Sequence, residues 1–168
     1  MIEPSIALFG ESFEEASRVL EKLIEDTGAQ YALLVDRKGF VLAHKEALWA
    51  PRPPALDSLA TLVAGNAAAT KALAELLGEP RFSELVHQGE RQGLYVEEVN
   101  DLTLLVLIFD QNAPVGRVKL FGKRAAGMLD RITQRAKVES ASAREKLGLD
   151  TEYRESASAL LDDLFGDL

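Results

Sequence analysis

Two short stretches of this 168-residue chain carry residue types that could do nucleotide chemistry. "GRVKLFGKR", Gly116 to Arg124, sets two glycines ahead of a lysine, as a phosphate-cradling loop does. That loop needs four residues between its glycines and a hydroxyl after the lysine to hold magnesium. Here five residues intervene, and Arg124 stands where the hydroxyl should be. The stretch also lies inside a helical apolar pattern, which leaves no loop to wrap a phosphate. "DRKG", Asp36 to Gly39, has the Asp-x-x-Gly spacing of nucleotide switches. It falls between two β-rich runs, and turn chemistry alone accounts for both residues.

The remaining reactive side chains form no constellation. His44 and His87 are the only histidines, each in a strand-like run with no second imidazole nearby in sequence. The absence of cysteine excludes disulfides and thiolate metal sites. Carboxylates are plentiful, but they belong to solvated helix faces, and no Ser–His–Asp spacing stands out. The residues therefore point to no catalytic group, no metal and no cofactor, and nothing argues for an enzyme with its own substrate.

The composition, 47% hydrophobic and 27% charged, is that of a globular domain. A formal charge of -8 argues against nucleic acid, whose phosphates need a basic footprint. No apolar run approaches the roughly 18 residues that span a bilayer. The start, "MIEPSIALFG", lacks the basic flank and apolar length of a signal peptide. A cytoplasmic protein without a membrane partner is expected.

Around these groups the elements are legible. "SFEEASRVLEKLIEDTG" has Ser12 and Glu15 at capping-box spacing, Phe13, Ala16, Leu20, Leu23 and Ile24 at helical spacing, and Gly28 as a stop. "QYALLVDRKGFVLAHKE" reads as a hairpin turning at Gly39. "ALWAPRPPA" breaks all regularity, and an alanine-rich helix from about Leu56 to Leu77 follows. "RFSELVHQ", "GLYVEEV" and "LTLLVLIFD" read as three strands joined by tight turns, the last apolar enough to be central. The last helix begins after Asn112 and Pro114 and buries Val115, Val118, Ala125, Leu129, Ile132 and Ala136. "ESASAREKLG" reads as a linker, and "LDTEYRESASALLDDLFGDL" as a separate acidic helix capped by Asp150 or Thr151. The order is helix, two strands, helix, three strands, helix. That predicts an α+β fold, an antiparallel sheet with helices packed on it.

At about 100° per residue, Leu56, Leu59, Leu62, Val63, Asn66, Leu73, Leu76 and Leu77 of the alanine-rich helix share one broad side. That side is expected to pack on the sheet. Ala60, Ala64, Ala67, Ala68, Lys71, Ala72 and Glu75 then face outward. Small outward residues let another backbone come close, but alanine is also the best helix former, and angles do not separate the two. The first helix carries Glu11, Glu14, Glu21 and Glu25, and the last carries Arg117, Arg124, Arg131 and Arg135. If the two lie side by side, these charges can pair at the seam. The basic stripe then reads as solvation and registry.

"YALLVDRKGFVLAHKEALWAP" followed by "LDSLATLVAGNAAATKALAELLG" resembles the Roadblock / dynein light-chain superfamily, and within it the bacterial polarity regulators. The closing "DTEYRE…ALLDDL" fits the same resemblance. It implies a Roadblock domain over residues 1–138, with a five-stranded antiparallel sheet bearing one helix on one face and two on the other. Residues 139–168 become a linker and a C-terminal amphipathic helix. The resemblance implies homodimers that pair through Phe82, Ser83, Glu84, Leu85, Val86 and His87. It further implies a small Ras-like GTPase partner of the MglA type, two copies of this chain per GTPase. The GTPase would be met on Ala60, Ala64, Ala67, Ala68, Lys71 and Ala72. Such a dimer accelerates GTP hydrolysis without an arginine finger, by reshaping the GTPase so that its own residues reach the γ-phosphate. Leu160, Leu161, Leu164 and Phe165 would anchor the C-terminal helix on the same partner, unless that helix docks on its own chain or frays. The competing expectation is a Roadblock scaffold that binds a partner and changes no rate.

Overall fold

The computed structural model of the protein describes residues 4–165, without the side chains of 149–152 and 165. The elements follow the expected order: α1 (Gly10–Thr27), β1 (Tyr31–Asp36), β2 (Val41–Glu46), α2 (Leu56–Leu77), β3 (Glu84–Gln88), β4 (Gln92–Glu98), β5 (Thr103–Asp110) and α3 (Val115–Phe165). The strands form one antiparallel sheet in the order β2-β1-β5-β4-β3. The apolar run of β5 puts it at the centre, and Thr103 to Phe109 are all buried. Beside it every residue of β1 is buried. β2 and β3 are the edges.

Period-two alternation divides the sheet residues between two cores. Ala32, Leu34, Tyr95, Leu105, Leu107 and Phe109 pack with the buried stripes of α1 and α3. Tyr31, Leu33, Val35, Val96, Leu104 and Val106 pack with α2. The sheet thus carries two helices on one face and one on the other. The predicted stripe of α3 is the observed one, with Val118, Ala125, Leu129, Ile132 and Ala136 buried and Val115 half-buried.

Two polar side chains, one buried and one half-buried, fix the turns. Asp36 is fully buried at the head of the β1–β2 turn. Its Oδ1 accepts the Lys38 and Phe40 amides at 3.0 and 2.8 Å, and its Oδ2 accepts the Ser5 amide at 2.7 Å. The Asp-x-x-Gly spacing is therefore occupied by turn chemistry. Asn100 closes the β4–β5 turn by accepting from the Leu102 and Thr103 amides. Its amide group donates to Asp130 and Thr133 of α3, tying the turn to the helix layer.

Three local expectations change. α1 begins at Gly10 with Phe9 as its uncapped N-cap residue, so Ser12 is buried within the helix and no capping box forms. Phe13 is partly exposed rather than part of the buried stripe. Glu139–Gly148 is helical rather than a linker, and the helix runs on through Asp150 and Thr151, so no separate helix begins there. Ala, Glu, Lys, Arg and Leu outnumber serine there and favour helix. The chain divides into two compact units, one up to Ala136 and the other from Lys137.

Candidate partner interface

The sheet beneath α2 already presents bulky side chains, so the helix contributes small ones. Ala60 (1% exposed), Val63, Ala64 (7%), Thr70 and Ala74 are buried, with Leu56, Leu59 and Ala67 half-buried. The small residues let the helix sit close to the sheet, with Leu56 and Leu59 packing at its N-terminal end. The seating is tight at the β1–β2 turn. Gly39 has φ +94°, and a methyl group placed there would lie 2.8 Å from the Thr61 Cα.

α2 is rotated by about a quarter turn from the expected seating, with Leu56, Leu59 and Val63 toward the sheet as expected. Ala60 and Ala64 do not belong to an outward platform; they turn toward the sheet. Leu62 (73% exposed), Leu73, Leu76 (83%) and Leu77 face outward instead, as does Asn66. Of the six residues assigned to the platform, Ala68, Lys71 and Ala72 are exposed. The apolar residues of α2 spread around most of its circumference, so angles alone fix its seating only loosely.

A cleft of about 590 Å³ opens between α2 and the β3 side of the sheet. Ala64, Ala67, Ala68 and Lys71 form its helical wall, and Arg81, Phe82, Ser83 and Leu85 the facing one. The fold thus brings the α2 residues and the β3 residues singled out from sequence to one place. Arg37, which sequence reasoning passed over as a turn residue, pairs with Glu98 at 2.8 Å and donates to the Asn100 carbonyl at 3.0 Å at the cleft's edge.

β3 itself is an open edge. The Glu98 amide donates to the Ser83 carbonyl, and the Gly89 amide to the Gln92 carbonyl. Ser83, Leu85, His87 and Gly89 therefore spend their backbone groups on β4, and by alternation Glu84, Val86 and Gln88 point theirs away from the sheet. Phe82 and His87 are exposed and Ser83 to Val86 half-buried. His87 lies 3.3 Å from the Asn66 amide group, one of the few polar contacts between α2 and the strand. His44 is exposed on the far edge strand, and among the described residues no group of three or more His, Cys, Asp or Glu converges to hold a metal.

On the other face of β3, Glu84 stands directly opposite Glu97 of β4. Burial works to raise the Glu84 carboxyl, but Lys119 at 3.1 Å and Lys123 at 3.5 Å outweigh it and leave it below the usual carboxylate range. Glu97 is more deeply buried, and burial raises its carboxyl despite the Tyr95 hydroxyl that donates to it at 2.5 Å. Burial, then that same contact, pushes Tyr95 upward too. The root of the edge strand thus rests on a compensated carboxylate pair.

In the second unit Leu160, Leu161 and Leu164 are all more than half exposed, while the side chain of Phe165 lies outside the described residues. Among the described residues no helix is long and apolar enough to cross a membrane.

Residues 15–109 match the model of the Roadblock/LC7 domain. Among solved structures, "MglB with tetrameric arrangement" shares 67% identity, covers 80% of this chain and 99% of its own, and superposes with a TM-score of 0.79. The gliding protein MglB of Thermus thermophilus shares 67% identity over 80% of this chain and all of its own, with a TM-score of 0.78. Myxococcus xanthus MglB shares 34% identity over 74% of this chain and 99% of its own, with a TM-score of 0.68. No curated protein matches the chain.

Proposed function

The chain belongs to the Roadblock/LC7 family, and on that premise we propose that it is a homodimeric activator of a small Ras-like GTPase of the MglA type, with no active site of its own. The observation that carries this reading is the open edge of β3, lying along the same cleft as Ala68 and Lys71 of α2. Two copies that pair β3 to β3 satisfy each other's outward backbone groups and remove an edge that would otherwise invite aggregation. The same pairing draws two α2 helices together and assembles one surface from both copies. A single composite surface on the two-fold axis suits one GTPase per dimer.

Acceleration then comes from differential binding. A dimer that grips the hydrolysis-competent conformation of the GTPase more tightly shifts the population toward it. The GTPase's own arginine and glutamine then reach the γ-phosphate and the attacking water, so no finger is needed from this chain. Leu160, Leu161 and Leu164 are exposed at helical spacing, which suits a second, helix-in-groove contact with the same partner. Control of cell polarity or motility is the cellular role this implies.

The test is single-turnover GTP hydrolysis by the cognate GTPase with and without this protein. A rise of orders of magnitude supports activation. Tight binding with an unchanged rate supports a scaffold. Ala68→Arg should abolish both binding and acceleration while the fold melts normally, because Ala68 is exposed on the cleft wall. Ala64 is unsuited to this test, since a buried arginine there would disturb the core.

A further inference from the structure

The seam between α1 and α3 uses far less of the basic stripe than expected. Arg135 pairs with Glu15 at 2.8 Å. Arg117, Arg124 and Arg131 make no ion pair with any described residue; Arg124 only rests over the Phe121 ring, 5.5 Å from its centroid. All three are exposed. At about 100° per residue they share a strip about 100° wide with Leu120, Gly127 and Met128. Leu120 is 51% and Met128 42% exposed. At Gly127 nothing lies within 4 Å of where a Cβ would be, so the ridge has a notch between Arg124 and Arg131. The strip holds no carboxylate, and Asp130 beside it is engaged by Asn100. Its length from Arg117 to Arg131 is about 21 Å.

We propose that this strip of α3 is a second docking surface, distinct from the α2–β3 face, and that its occupant is an acidic amphipathic helix of a partner protein. Charge decides the sign of the occupant. On a chain of net charge -8 the strip is a local cationic exception, so the partner segment must be anionic. Width decides its shape. α1 lies on the same sheet face and exposes Glu11, Glu14, Glu21 and Glu25. A broad anionic surface such as a membrane would meet that acidic ridge together with the arginines, whereas one helix can follow the strip alone. Leu120 and Met128 supply apolar anchors, and methionine adapts to a partner's side chains.

The experiment uses the full chain and a fluorescent synthetic helix of about 14 residues, matched to the strip at 1.5 Å per residue, with leucines on one face flanked by glutamates. A counterpart carries lysines in place of the glutamates. Vesicles of mixed phosphatidylglycerol and phosphatidylcholine form a third arm. The acidic helix should bind with an affinity that falls as salt rises. Arg117→Gln/Arg124→Gln/Arg131→Gln should weaken it about tenfold, the scale of three exposed ion pairs, without changing the melting temperature by more than a degree or two. Equal binding of the lysine helix overturns the proposal. So does acidic-helix binding that the triple variant leaves intact. Arginine-dependent binding of the vesicles without binding of the peptide also overturns it, in favour of a lipid surface.

Discussion

If two copies join edge to edge, a proline at residue 86 should divide folding from pairing. Val86 is the middle one of the three β3 residues whose backbone groups point outward, so it takes part in any register that uses more than the tip of the strand. Its N–H contributes nothing to the β3–β4 ladder. Val86→Pro therefore deletes a donor aimed at the partner and spares every bond within the subunit, which is where strand prolines are tolerated. A two-fold axis doubles the loss. At about 0.5–1.5 kcal/mol per net hydrogen bond, two bonds amount to about 1–3 kcal/mol. The dimer dissociation constant should rise by about tenfold to a hundredfold. Val86 packs only partly against the α1–α3 core, so the cost to the subunit should stay near 1 kcal/mol.

Leu85→Pro is the contrast. Its N–H belongs to the β4 ladder and its side chain packs with α2, so this substitution should unfold the edge rather than merely separate copies. Sedimentation equilibrium across micromolar concentrations measures the association, and thermal melting by circular dichroism checks the fold. A Val86→Pro protein that melts normally and dimerises with unchanged affinity would show that β3 is not the pairing edge.

Gly127→Ala should stabilise α3 by up to about 1 kcal/mol, since glycine is a poor helix residue and the site is open. Gly122→Ala should instead destabilise by about 1–3 kcal/mol, because the new methyl would lie 2.5 Å from the buried Tyr95 ring; equal urea midpoints for the two would contradict the packing described. Glu97→Gln should raise stability at neutral pH. The folded Glu97 holds its proton more tightly than the unfolded one, so stability falls as pH climbs from the ordinary carboxylate value through its higher folded value. Glu84 acts oppositely, its contribution present at higher pH and lost as pH drops through its lowered value. Urea midpoints from pH 4 to 8 should be flatter in the variant, and parallel profiles would remove Glu97 from the account. Leu73→Gln with Leu76→Gln should cost the isolated fold less than about 0.5 kcal/mol per site yet weaken dimer or GTPase binding; a large drop in melting temperature would place these leucines in a core.

The strands, their order along the chain and the buried stripe of α3 were legible because each rests on a strong local period. The turn at Asp36–Gly39 was legible for the same reason, its residues being chosen by backbone conformation. What escaped depends on a second element. The Ser12–Glu15 spacing is a sound helix start, but Gly10 and Glu11 extend the turn before it, and no local rule weighs the two. "ESASAREKLG" is poor in large apolar residues and so reads as a linker, although a helix needs only backbone propensity to persist there. Arg37 could not be picked out, because its partner Glu98 lies on a distant strand.

The rotation of α2 belongs to the same class and carries the functional weight. A helix whose leucines outnumber its large polar residues on one side is ordinarily seated leucine-down, and burying them would stabilise it most. Here only Leu56 and Leu59 pack on the layer of Leu33, Val35, Leu104 and Val106, and Ala60, Val63 and Ala67 make the rest of the contact. Leu62, Leu73 and Leu76 are left in water, where they add little to the stability of a single subunit and add to its tendency to associate. A surface of this kind on the helix that flanks an open strand edge is accounted for once a second copy, or the partner the two copies share, covers it. On the proposed reading the α2–β3 face serves assembly, and the exposed leucines there are not needed for the stability of the isolated fold.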